Sequence, residues 1–79
     1  MEIKGKYGQV IHKFDNGYGA SVISNAHSYG GSSGLYELAV LKFEGGDWSI
    51  NYDTKITDDV IGHLTESKVQ NVLTEIEAL

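Results

Sequence analysis

Between residues 10 and 22 the chain alternates with a period of two: Val10, His12 and Phe14 fall on one side of an extended segment, and Tyr18, Ala20 and Val22 resume the set after Asp15-Asn16-Gly17. Such alternation marks a strand with one buried face. Asn-Gly between two such runs predicts a hairpin, because Gly reaches the positive φ that a tight turn demands. A two-residue Asn16-Gly17 turn would scatter the apolar set over both faces. A three-residue Asp15-Asn16-Gly17 loop, a type I turn closed by Gly17 in a left-handed bulge, sets Phe14 against Tyr18, His12 against Ala20 and Val10 against Val22. The alternation selects the three-residue loop.

A second hairpin is predicted where Leu35 to Glu44 and Asp47 to Asp53 flank Gly45-Gly46, a dipeptide suited to a two-residue primed turn. Phe43 then opposes Trp48, Leu41 opposes Ile50 and Ala39 opposes Tyr52, with Lys42, Ser49 and Asn51 on the other side. Tyr36, Leu38 and Val40 make this third strand apolar on both faces, as expected of a central strand rather than an edge. Between the hairpins, residues 26–34 contain three Gly and three Ser. That composition disfavours regular structure and permits motion.

After Asp53 the period lengthens to about 3.6. Val69, Val72, Leu73, Ile76 and Leu79 mark one face of a helix running from Glu66 to Leu79, with Thr65 as its cap. A shorter helix of one or two turns is expected over Asp58 to Leu64, with Thr57 as cap, acids in its first turn and Gly62 near its end. Strands first and helices last give an α+β fold: an antiparallel sheet of about four strands, built from two β-hairpins, with the C-terminal helices packed on one face. The expected core takes Val10, Phe14, Ala20, Val22, Ala39, Leu41, Phe43, Trp48, Ile50 and Tyr52 from the sheet. Val60, Ile61, Leu64, Val69, Val72, Leu73 and Ile76 join it from the helices.

At 79 residues the chain is expected to form a single small domain, 1–79. Hydrophobic residues at 41% and charged residues at 22% are ordinary globular usage. Eleven acids against six basic residues, all lysine, give a formal charge of −5. Without Arg the bidentate fork that reads phosphate and guanine is missing, so nucleic acid is not an expected partner. Without Cys there are neither disulfides nor thiolate metal sites. The longest apolar run, Leu38 to Leu41, is far below the roughly 20 residues of a membrane span, and Met1 to Gly5 has no signal-like apolar stretch. A soluble intracellular protein without a membrane role is expected.

Each group with catalytic potential has a plainer structural reading. His12 lies mid-strand among core residues. His27 sits beside Ser28, Ser32 and Ser33, where a nucleophile and base can meet, but no nucleophile elbow or acidic orienter accompanies them. His63 stands four residues after Asp59, on one helix face as two metal ligands would be, yet acids at a helix start already serve as caps. The run Tyr29-Gly30-Gly31-Ser32-Ser33-Gly34 resembles an anion nest but lacks the Lys and following helix of a phosphate loop. Neither a catalytic set, nor a metal site, nor a cofactor is therefore assigned. Five Tyr, one Trp and two Phe exceed what the core uses. Tyr29 inside the Gly/Ser loop and Tyr36 at its exit are candidate interface anchors, unless they pack over the sheet.

The segments Asn16-Gly17-Tyr18-Gly19-Ala20-Ser21-Val22, Ser28-Tyr29-Gly30-Gly31, Gly34 to Leu41, Tyr52-Asp53-Thr54 and Ile56 to Thr65 resemble those of small uncharacterised proteins encoded by tailed bacteriophages and prophages. Lys55 stands where Pro is common in that group. The resemblance spans roughly Asp15 to the C-terminus and carries no active site. It implies an accessory protein of the bacterial host cytoplasm. The leading expectation is thus a non-enzymatic protein that binds a protein partner, such as a host bacterial protein, through His27, Tyr29, Gly30, Gly31, Ser32, Ser33 and Tyr36. A self-associating, homodimeric structural component is the second reading. A small hydrolase using His27 and a loop serine is the third, with the least behind it.

Overall fold

The computed structural model describes residues 2–4 (backbone), 8–25, 33–51, 54 and 60–79. Among the described residues six strands and one helix follow one another: β1 (Glu2–Lys4), β2 (Gln9–Lys13), β3 (Tyr18–Ile23), β4 (Tyr36–Glu44), β5 (Asp47–Ile50), β6 (Ile61–Leu64) and α1 (Glu66–Glu77). The sheet order is β1-β2-β3-β4-β5, every described pairing is antiparallel, and β6 also pairs with β4. The α+β class and the helix lying on the sheet are as the sequence predicts. None of the described helices is long and apolar enough to cross a membrane.

Both hairpins close as their turn chemistry dictates. In the first, His12 pairs with Ala20 and Val10 with Val22. The Phe14 N–H donates to the Tyr18 carbonyl at 2.9 Å, and Gly17, at φ +85°, donates to the Phe14 carbonyl at 3.3 Å. This is the three-residue bulged loop. In the second, Glu44 pairs with Asp47, Phe43 with Trp48 and Leu41 with Ile50. Gly45 and Gly46 stand at φ +60° and +91°, the type I′ geometry. The expected Ala39–Tyr52 pair lies partly outside the described residues.

How the hairpins dock on each other corrects the expected core. β3 pairs with β4 through Tyr18–Lys42, Ala20–Val40 and Val22–Leu38. Leu38 and Val40 therefore share the helix-covered face with Ala20 and Val22, in place of Ala39, Leu41 and Phe43. Each turn fixes the register inside its own hairpin, but the segment between Ser24 and Leu35 is too long to fix the register between them. Because β4 is apolar on both sides, its alternation does not choose a face. The helix-side core is Ala20, Val22, Leu38, Val40, Leu64, Val69, Leu73 and Ile76, with Phe14, Tyr18, Tyr36, Ile61, Val72 and Leu79 packed around it.

β6 replaces the C-terminal half of the short helix expected over Asp58 to Leu64; Thr57, Asp58 and Asp59 lie outside the described residues. β4 runs for nine residues and β5 for four, so the N-terminal half of β4 has an edge to fill. Ile61 fills it opposite Leu38, and Leu64 opposite Tyr36. Ladder pairing outweighs the weak helical tendency of so short a segment. Three steps along β6 match two along β4, a bulge in which His63 takes φ +57°.

α1 starts where Thr65 leaves extended backbone, its Oγ1 accepting the Lys68 N–H at 3.3 Å. It buries Val69, Leu73 and Ile76 against β3, β4 and β6. Its C-terminal carbonyls meet a donor from the first hairpin. Asn16 Nδ2 lies 2.9 Å from the Ile76 oxygen, 3.1 Å from that of Glu77 and 3.3 Å from that of Leu79, while its Oδ1 accepts the Tyr18 N–H at 2.9 Å. One turn residue thus orders its own loop and satisfies the helix end.

Candidate functional site

Of the residues expected to form a binding loop, His27, Tyr29, Gly30, Gly31 and Ser32 lie outside the described residues. Ser33 is exposed, and the segment's flanks are tied by the Ser24 hydroxyl donating to the Leu35 carbonyl at 3.0 Å. Tyr36 is half-buried against the helix-side core, beside Leu38 and opposite Leu64. Its ring lines a cleft of about 170 Å³ with Val10, His12, Glu66 and Val69. Tyr36 thus packs on the helix-side core while part of it remains accessible.

The histidines are spread apart. His12 is half-buried on β2, its ring centroid 6.4 Å from that of Phe14 at an interplanar angle of 23°. His63 is exposed on the β6 bulge, in a strand rather than a helix, so the four-residue spacing from Asp59 no longer defines a shared helical face. Among the described residues no group of three or more His, Asp or Glu side chains is gathered as a metal would require. Nor does any described buried side-chain polar atom lack a hydrogen-bond partner.

The sheet face turned away from α1 offers more. Ile11, Ser21, Ala39 and Leu41 are buried there, and Gln9 Nε2 donates to Ser21 Oγ at 2.8 Å. Phe43 lies over Gly19, where a Cβ would collide with both the Phe43 ring and the His12 carbonyl oxygen. This close approach is a reason for Gly at that place. Outward from Phe43 and Leu41 come their partners Trp48 and Ile50, 45% and 42% exposed. Every residue of β5 is exposed. The sequence places Trp48 and Ile50 in the core; in the structure they stand in the open on the last strand of the described sheet order, while Ile11, Ala39 and Leu41 on the same face of the inner strands are buried.

The tips of the two hairpins lie side by side, joined by the Phe43 N–H donating to the Gly17 carbonyl at 2.8 Å. They border an open cleft of about 420 Å³ lined by Lys13, Asp15, Phe43 and Glu44 among others. Lys13 Nζ sits 5.4 Å from the Phe43 ring centroid, and Lys42 Nζ sits 4.2 Å from that of Tyr18 on the opposite face. Both are cation–π contacts that hold a lysine head near an aromatic ring. The hairpin end of the sheet is thus a mixed-charge rim beside the apolar Phe43–Trp48 pair, an arrangement suited to contact with another macromolecule. Comparison with protein-family models, with curated proteins and with solved structures returned no match.

Proposed function

We propose that this chain acts by binding protein rather than by catalysis, and that the β4–β5 hairpin is its contact surface. The observation that carries this reading is the exposure of Trp48 and Ile50 on one face of β5. Large apolar side chains exposed side by side mark interaction sites, and Trp is the residue type most enriched among the anchors of interfaces. The polar neighbours Lys13, Asp15 and Glu44 supply the rim. A formal charge of −5 makes association at this surface sensitive to salt, which weakens binding to a basic partner and strengthens binding to an acidic one. The assignment to a phage or prophage, and with it the bacterial cytoplasm, rests on the segment resemblance across Asp15 to the C-terminus. The binding role of the Gly/Ser loop rests on its composition and Tyr29.

Affinity capture from a bacterial lysate with the wild-type chain, Trp48→Ser and Tyr29→Ala separates the two surfaces. Retention of the captured set by Tyr29→Ala and its loss with Trp48→Ser is the expected pattern, provided circular dichroism shows both variants folded. The same set captured by folded Trp48→Ser would overturn the hairpin as contact surface. Trp48 is the only tryptophan, so a blue shift of its emission on adding a captured protein reports contact directly.

A further inference from the structure

We infer that the partner of the β5 edge is a second copy of this chain, paired antiparallel about Ser49; the inference rests on the hairpin being the contact surface. In an antiparallel ladder, hydrogen-bonded and non-hydrogen-bonded pairs alternate. The Asn51 N–H donates to the Val40 carbonyl at 2.8 Å, which places Lys42–Ser49 and Glu44–Asp47 in the hydrogen-bonded class and Leu41–Ile50 and Phe43–Trp48 in the other. The backbone N–H and C=O groups of Trp48 and Ile50 therefore point away from β4. Among the described residues no strand pairs with that outer edge.

A two-fold axis normal to the sheet is the symmetry that joins two such edges antiparallel and keeps their matching faces on the same side. Centred on Ser49, it pairs Trp48 with Ile50 of the second copy and Ile50 with Trp48 of the second copy. Each pair exchanges both outward hydrogen bonds. The apolar row then runs without a break from Phe43 through Trp48 to Ile50 and Leu41 of the second copy. Centring one residue earlier sets Trp48 against Trp48 of the second copy but Ile50 against Gly46, leaving Ile50 without an apolar partner. Placing the axis between residues opposes outward groups to inward ones and leaves the hydrogen bonds unmade. On the polar face of the Ser49 register Asp47 stands across from Asn51 and Ser49 from itself, so no like charges stand directly opposite. A strand pair buries less than the roughly 800 Å² per partner of a standard interface, so the dimer is a concentration-dependent one. Because each copy carries −5, salt strengthens it, the reverse of the effect expected for a basic partner.

The test places charge on the axis. Sedimentation equilibrium of the wild-type chain from micromolar to millimolar concentration should show mass rising from 8.6 kDa toward twice that value, more readily at higher salt. Ser49→Lys and Ser49→Asp, each alone, should associate roughly fivefold more weakly, since each sets like charges face to face. Their equal mixture should regain the heavier species. Ser49→Asp lies opposite Lys42 in its own chain, so it keeps the fold even if Ser49→Lys does not. A wild-type chain that stays at monomer mass throughout would overturn the pairing, as would a dimer that both variants leave intact. If the chain is monomeric but its Trp48-dependent capture of other proteins persists, self-pairing alone fails. Loss of both removes the hairpin as a contact surface.

Discussion

The two hairpins share glycine-closed turns and alternating strands, yet they end in different surroundings. The tip of the first is bound into the molecule: Asn16 holds the C-terminal carbonyls of α1, and Ala20 and Val22 lie beneath that helix. Among the described residues the outer strand of the second has a neighbouring strand on one side only, and all four of its residues are exposed. Turn chemistry makes a hairpin, but position in the sheet decides which strands enter the core: β3 and β4 lie beneath the helix and β5 does not. The strand outside its reach keeps its apolar side chains for another surface.

Removing matched apolar groups should break the comparison most strongly. Leu38, fully buried in β4 beneath α1, should lose about 2–5 kcal/mol on Leu38→Ala by urea unfolding, from lost burial and the cavity left behind. Ile50→Ala in β5 should lose less than about 1 kcal/mol, because much of that side chain already faces solvent. Equal losses would place Ile50 in the core and end the contrast.

A smaller effect is expected at the first hairpin's grip on the helix. Asn16→Ala should cost about 1 kcal/mol, as the amide donor to the α1 carbonyls is removed together with the local bond to the Tyr18 N–H. Asn16→Asp keeps the acceptor but turns a carboxylate toward carbonyl oxygens at the negative end of the helix dipole. It should therefore be the less stable of the two in thermal melts. An Asp variant as stable as wild type would mean that the amide contributes only through its own turn.

The smallest expected change has the opposite sign. His63 is exposed and holds φ +57° in the β6 bulge, a conformation that favours Gly. His63→Gly should raise stability by about 0.5–1 kcal/mol in the same urea titration, and a loss would show that the imidazole contributes contacts exceeding the backbone strain.

The sequence made legible what neighbouring residues determine. Asp15-Asn16-Gly17 and Gly45-Gly46 specify their turns, and the turns specify each hairpin's pairing to the residue. Thr65 followed by Val69, Leu73 and Ile76 specifies α1. What escaped was decided at long range. Leu38 and Leu41 are equally apolar, and only pairing with β3 determines which of them meets the helix. Ile61 and Leu64 have the spacing of a short helix and become a strand because β4 outruns β5. β1 carries too little pattern in three residues to be seen before β2 pairs with it through Ile3 and Ile11. The exposed pair on β5 was hidden by the same long-range dependence, since a Trp and an Ile in alternation read as core until β5 is known to stand last in the sheet order.

Amide hydrogen exchange at Trp48, Ser49 and Ile50, followed as the protein is concentrated, tests the open edge of β5 most directly. In dilute solution the Ser49 amide, directed at β4, should exchange slowly while those of Trp48 and Ile50 exchange fast, and on concentration both fast amides should become protected together. Slow exchange at all three positions in dilute solution, or fast amides that ignore concentration, would contradict the account.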